Sequence, residues 1–187
     1  GVLFSVKNER GDLVFQDFEN IALKQNAATP VEFEWTSKWA GVLEARLVLI
    51  QNGVIVTEAK RKMNMSPPDG EQIIVSRENH TKKTNNDYFT PITIKCGYKN
   101  IEAAVFARDR LVGEAKGIGK VTLNAEPWFG YYDVIVKIDG YHFAKRIIAT
   151  VVDTDGMDLL VNGEPFLVKG VNVHGLDGGS PERSALM

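Results

Sequence analysis

The feature that most restricts this chain is a single reversal. Leu43 to Ile50 is an apolar, β-prone run, Gln51-Asn52-Gly53 follows, and Val54 to Glu58 is a second such run. An Asn-Gly pair between apolar runs is a strong hairpin signal. Both turn residues must take positive φ, which Asn and Gly tolerate at little cost, and the resulting turn matches the twist of the flanking strands. Ala40 to Ile50 has a passing likeness to a helix, but the Asn-Gly turn and the β-branched flank decide for strand.

Most of the chain to residue 152 has the same texture of short apolar runs between turns, with no long amphipathic helical pattern. Val2 to Val6 and Asp12 to Gln16 flank a turn at Glu9-Arg10-Gly11, and Ile21 to Lys24 follows. Val31 to Trp35 alternates, with Val31, Phe33 and Trp35 on one face and Glu32 and Glu34 on the other, the mark of a half-buried strand. Two prolines in Met65 to Gly70 fix φ and remove donors, so a ladder is not expected to continue through them. A domain boundary is placed there. Beyond it, Gln72 to Val75 is expected as strand and the polar run Arg77 to Asp87 as loop. Pro91 to Lys95, Ile101 to Phe106, Leu111 to Glu114, Lys120 to Leu123, Tyr131 to Ile138 and Phe143 to Val152 are then strands, a series that suits an immunoglobulin-like sandwich. The fold class expected is all-β: two immunoglobulin-like or β-sandwich domains, residues 1–66 and 67–153, followed by a third segment, 154–187.

Charge and composition narrow the partners. Among 187 residues, 22 Lys and Arg stand against 24 acidic residues, a net charge of −2 that gives no electrostatic reason to expect nucleic acid or an anionic membrane. No apolar run approaches the roughly 20 residues of a membrane helix. Cys96 is the only cysteine, so an internal disulfide and a multi-thiolate zinc site are excluded; it is expected in the core. No metal site and no cofactor is expected.

The third segment repeats the hairpin logic. Leu159 to Val161 and Phe166 to Val168 flank Asn162-Gly163, and Lys169-Gly170 then lead into a second apolar run ending in Asn172 and His174. Ser180-Pro181-Glu182 has the form of a helix start, with an N-cap, Pro at the first helical position and Glu in the first turn.

The run Leu160-Val161-Asn162-Gly163-Glu164-Pro165-Phe166-Leu167-Val168-Lys169-Gly170-Val171-Asn172-Val173-His174 resembles the segment through which a sandwich domain hands over to the catalytic barrel in retaining glycoside hydrolases of family 2, the β-galactosidase, β-glucuronidase and β-mannosidase group. The likeness covers about thirty residues at the C-terminal end. It implies that residues 154–187 are a hairpin, the first strand of a TIM barrel and the start of its first helix, truncated there. It also implies that Asn172 and His174, ending that strand, sit at the rim of a sugar pocket, since such barrels build their sites at the C-terminal ends of strands. Satisfaction of backbone groups at a strand end is the alternative for both. The family's two catalytic glutamates lie on later barrel strands. Asn8-Glu9 is the Asn-Glu pair noted here, and it precedes a hairpin turn, so no catalytic residue is assigned.

The function expected is thus a non-catalytic accessory region of a retaining glycoside hydrolase, supporting the barrel, with carbohydrate as the partner through the parent catalytic domain and a periplasmic or secreted location. A carbohydrate-binding module or a surface interaction sandwich is the alternative. A binding module would use exposed flat rings, and Trp128, Tyr131, Trp35 and Trp39 are the candidates for a sugar platform. Against that, Gly130-Tyr131-Tyr132 entering a strand resembles a tyrosine corner, and alternation allows only one of the two tyrosines into the core. Asp153 to Asp158 lacks the spacing of a calcium loop and reads as an Asp-Gly linker turn. Gly113 to Gly119 matches neither a dinucleotide fingerprint nor a P-loop. Asn79-His80-Thr81 fits a glycosylation sequon.

Overall fold

The computed structural model describes residues 1–22, 28–67, 69–78, 82–84, 87–150, 152–161 and 164–167. Among these the chain is all-β, and no helix occurs.

The N-terminal part is a four-stranded antiparallel ribbon. β1 (Val2–Asn8) pairs with β2 (Leu13–Glu19) and with β3 (Trp39–Gln51), and β3 pairs along its length with β4 (Val54–Met65). The Asn52-Gly53 turn forms as expected, with φ of 51° and 77°. The β1–β2 turn is held by Asn8, whose Oδ1 accepts from the backbone N–H of Gly11 and of Asp12, each at 3.0 Å. Glu9 therefore lies in a hairpin turn.

Residues 31–35 alternate in burial as their sequence predicts but enter no ladder. They lie as an extended strap whose rings stack on the ribbon, Phe33 on Phe4 and Trp35 on Phe15, at centroid distances of 5.3 and 5.6 Å. Alternation reports which side chains face a packed surface; it does not report whether the backbone finds a neighbour to bond.

The second part is built on two long bent strands. β5 (Ile74–Arg77) pairs with the N-terminal half of β7 (Asp87–Ala107), while β9 (Tyr131–Ile138) pairs with its C-terminal half. β8 (Arg110–Ala125) follows β7 along both halves. β10 (Tyr141–Ile148) completes the sheet beside β9. Pairs predicted as separate strands, 91–95 with 101–106 and 111–114 with 120–123, are each one strand with a bend. The β7–β8 register breaks between Lys95 and Asn100, near Gly97 (φ 39°) and Gly119 (φ 71°). Glycine at these points lets a strand swing from one layer to the other without ending. The expected loop 77–87 contains β6 (Lys82–Thr84), paired back to Asp87–Phe89.

The alternation of both bent strands converges on one core. Ile92, Ile94 and Cys96 from one half of β7 join Ile101, Ala103 and Val105 from the other, with Val121 and Leu123 of β8 and Val134, Val136 and Ile138 of β9. This layering is consistent with a β-sandwich. The two parts join into a single large mixed sheet through a short parallel contact, His142 opposite Trp39 and Phe143 opposite Ala40.

A separate three-stranded sheet ends the described chain: β11 (Val152–Asp155), β12 (Asp158–Val161) and β13 (Glu164–Pro165). Gly156, at φ 61°, turns β11 into β12.

Candidate functional site

Of the hairpin read from sequence, two antiparallel pairs are seen, Leu160 opposite Pro165 and Val161 opposite Glu164; Asn162, Gly163 and Val168 lie outside the described residues. The backbone N–H of Phe166 donates to Leu159 O at 2.7 Å, extending the pairing by one step. The sequence also predicts that Leu160, Phe166 and Val168 lie against the second sandwich; Leu160 is half-buried, Phe166 is 49% exposed, and Val168 lies outside the described residues. Val152, Met157 and Leu167 of the same segment are exposed as well. Asn172 and His174 lie outside the described residues, as do the sequon Asn79-His80-Thr81 and the helix start at Ser180. No group of three or more His, Cys, Asp or Glu that could hold a metal occurs among the described residues.

The four candidate platform rings separate clearly. Trp35 is stacked on Phe15, and Trp39 is stacked on the imidazole of His142 at 5.0 Å between centroids. Trp128 is half-buried against the core, with the Arg108 guanidinium 5.6 Å from its ring. Only Tyr131 of the four is largely exposed, at 57%. Phe129, between Trp128 and Gly130, is more exposed still, at 67%.

Tyr131 and Tyr132 take opposite faces, as alternation requires. Tyr132 is fully buried, and its hydroxyl donates to Glu126 O at 2.8 Å, six residues upstream. This is the hydrogen bond of a tyrosine corner. Burial pushes its phenol above the ordinary range.

Two further groups are displaced from their ordinary titration. His142 is pulled below the usual imidazole value, first by burial and then by the ammonium groups of Lys137 and Lys38. Cys96, 1% exposed, has its thiol pushed up by burial; its Sγ lies 3.8 Å from the Tyr141 hydroxyl and 3.6 Å from Glu71 Oε2. A buried thiol held in its neutral form is a core residue, not a nucleophile.

The two parts of the chain meet around a cleft. Glu9 comes from the β1–β2 turn, Gly41 and Val42 from β3, and Asn64 and Met65 from β4. Ser66, Pro67, Gly70, Glu71, Gln72 and Ile73 supply the linker wall, and Phe143 and Lys145 of β10 the far side, around a volume of about 370 Å³. Sequence reasoning missed this grouping because its members are spread from residue 9 to residue 145 and share no motif. The only local hint was the proline-bearing linker, since hollows tend to form where two units abut.

Neither the protein-family models nor the curated proteins compared with this chain give a match.

Proposed function

We propose that this chain is a non-catalytic accessory region of a retaining glycoside hydrolase of the family 2 type. In this reading residues 1–66 and 67–153 are sandwich-like units, and residues 154–187 carry the hairpin, first strand and first helical turn of a catalytic barrel. The observation that carries the reading is the order of parts. An all-β body is followed directly by the pairs Leu160–Pro165 and Val161–Glu164, on either side of the motif's Asn162 and Gly163 in sequence. The exposed apolar side chains Val152, Met157, Phe166 and Leu167 support it too, because a barrel packed on this segment would cover some of them. Asn172 and His174 would then stand at the rim of the sugar pocket. The protein partner is the barrel, the ligand class is carbohydrate, and the location is periplasmic or secreted.

Two measurements test this. The pure 187-residue chain gives no turnover of chromogenic β-glycosides, whereas the same chain continued into its barrel does. Saturable hydrolysis by the 187-residue chain alone overturns the accessory role. The coding sequence after Met187 continues into alternating strands and helices, with Glu ending two later strands; a stop codon at that point removes the barrel.

A carbohydrate-binding module is the second reading, and the exposure of Tyr131 and Phe129 is what favours it. It is the weaker one, since Trp35, Trp39 and Trp128 each spend ring surface on neighbours within the protein.

A further inference from the structure

The cleft between the two parts of the chain has a lining that a purely structural seam would not need. Glu9 reaches it from the β1–β2 turn. Its charge is felt by Arg146, yet its Oε2 is buried without a hydrogen-bond partner. A carboxylate oxygen removed from water and given no donor is a costly arrangement, and native structures hold few of them. Lys145, half-buried on β10, lines the same cleft and has no ion-pair partner among the described residues. Glu9 and Lys145 thus bring opposite charges to one hollow and do not pair with each other, while Glu71 adds a second carboxylate to the wall, its Oε2 3.6 Å from Cys96 Sγ.

The remaining wall has two characters. Asn64, Ser66 and Gln72 offer amide and hydroxyl groups, while Phe143, Met65 and Ile73 offer an apolar side. A hydroxyl is the neutral group that suits both charges, because it donates to a carboxylate and accepts from an ammonium. A molecule with several hydroxyls on a carbon ring would also use the neutral polar wall and lay its C–H face on Phe143. The terminal torsion of a glutamate is broad, so Oε2 can swing into the cleft with little cost in side-chain strain. A zwitterionic amino acid would satisfy Glu9 and Lys145 but leave Glu71, Asn64, Ser66 and Gln72 idle.

We propose that this cleft is a binding site for a small neutral saccharide, held between Glu9 and Lys145 and stacked on Phe143. None of Trp35, Trp39, Trp128 and Tyr131 lines the cleft, and the proposal does not rest on the parent enzyme being a glycosidase.

Calorimetric titration of the full 187-residue chain with D-glucose, D-galactose, D-mannose and L-leucine tests it. The expected result is saturable binding of at least one hexose, weakened tenfold or more by Glu9→Ala and by Lys145→Ala, with Tyr131→Ala binding as the wild type does. Glu9→Gln keeps the shape of the side chain and covers the case in which Glu9→Ala does not fold; it too should weaken binding. Four outcomes overturn the proposal: no saturable hexose binding, binding that survives both charge removals, tighter binding of L-leucine than of every hexose, or loss of binding only in Tyr131→Ala. Turnover of β-glycosides by the barrel-bearing protein is read separately, so failure of the cleft and failure of the glycosidase reading are distinguishable.

Discussion

At the scale of single residues, neighbours in sequence do different work. Tyr132 and Tyr131 are adjacent, and strand alternation sends one to the core and one to solvent. Tyr132→Phe removes the hydroxyl that donates to Glu126 O and should cost about 1 kcal/mol in urea unfolding, the usual net value of such a bond. Tyr131→Phe should stay within about 0.5 kcal/mol of wild type, as surface changes do. Equal effects would mean that the corner bond contributes nothing. His142 gives a pH-dependent counterpart. Its imidazole, stacked on Trp39, titrates below its ordinary value, so the unfolded chain takes up the proton more readily than the folded one. Its share of stability is therefore full above the unfolded value of about 6.5 and is lost as pH falls from there through the folded one. His142→Phe, which keeps a ring against Trp39, should flatten the decline in Tm between about pH 7.5 and 5. An unchanged profile would place the proton uptake elsewhere. The tyrosine pair was legible because alternation is a local rule. The stacking of His142 on Trp39 was not, since it needs residues 103 positions apart to meet across a parallel strand contact.

At the scale of elements, the sequence marks apolar runs faithfully but not what interrupts them. The breaks between 95 and 101 and between 114 and 120 have the glycine and polar content of turns, yet both are bends within continuous strands. A turn and a bulge draw on the same residues, and only the partner strand decides between them. Nor does local sequence mark which strand is an edge. Glu44 to Ile50 is a long, apolar run that would favour pairing between chains if uncovered, but β1 and β4 cover it on both sides. The exposed residues Val54 to Val56 belong to β4 instead, and Lys60, Arg61 and Lys62 follow them on that strand, charges of the kind that discourage edge-to-edge association. The junction of β3 with β10 depends on one glycine. Gly41 sits at φ 91°, and a Cβ there would lie 2.9 Å from Phe143 Cε2. Gly41→Ala should destabilise the chain by about 1–3 kcal/mol, from backbone strain together with displacement of the ring. Gly11→Ala is the matched comparison, since φ is 102° there and nothing lies within 4 Å of the added carbon. If both variants lose the same stability, the ring contact at the junction carries no weight.

At the scale of the whole molecule, the question is how the parts before and after the linker are held in one orientation. The backbone connection is slight: β3 and β10 share the pairs His142–Trp39 and Phe143–Ala40, with His142 N–H donating to Lys38 O at 2.7 Å. The side chains add a latch. Arg146 is fixed by Asp133, Nε to Oδ1 at 2.7 Å and Nη2 to Oδ2 at 3.0 Å, and its Nη2 also reaches Arg10 O at 3.4 Å. Arg10 in turn lies 4.3 Å from the centre of the Phe106 ring and 3.4 Å from Asp109. The ion pair with exposed Asp109 adds little, because water and salt screen it. The stacked guanidinium is worth about 0.5–1 kcal/mol, and more where it is desolvated. Arg10→Ala removes that contact while leaving the strand ladders of both parts intact. It should therefore leave the main unfolding transition nearly in place and raise the rate at which a protease cuts the 66–72 segment, several-fold at native temperature, because the linker opens when the two parts separate. Salt should speed cleavage of the wild type only slightly, since the ring contact and the Asp133 pair are partly shielded. Equal cleavage rates for Arg10→Ala and wild type would show that the β3–β10 contact alone sets the orientation, and with it the shape of the cleft.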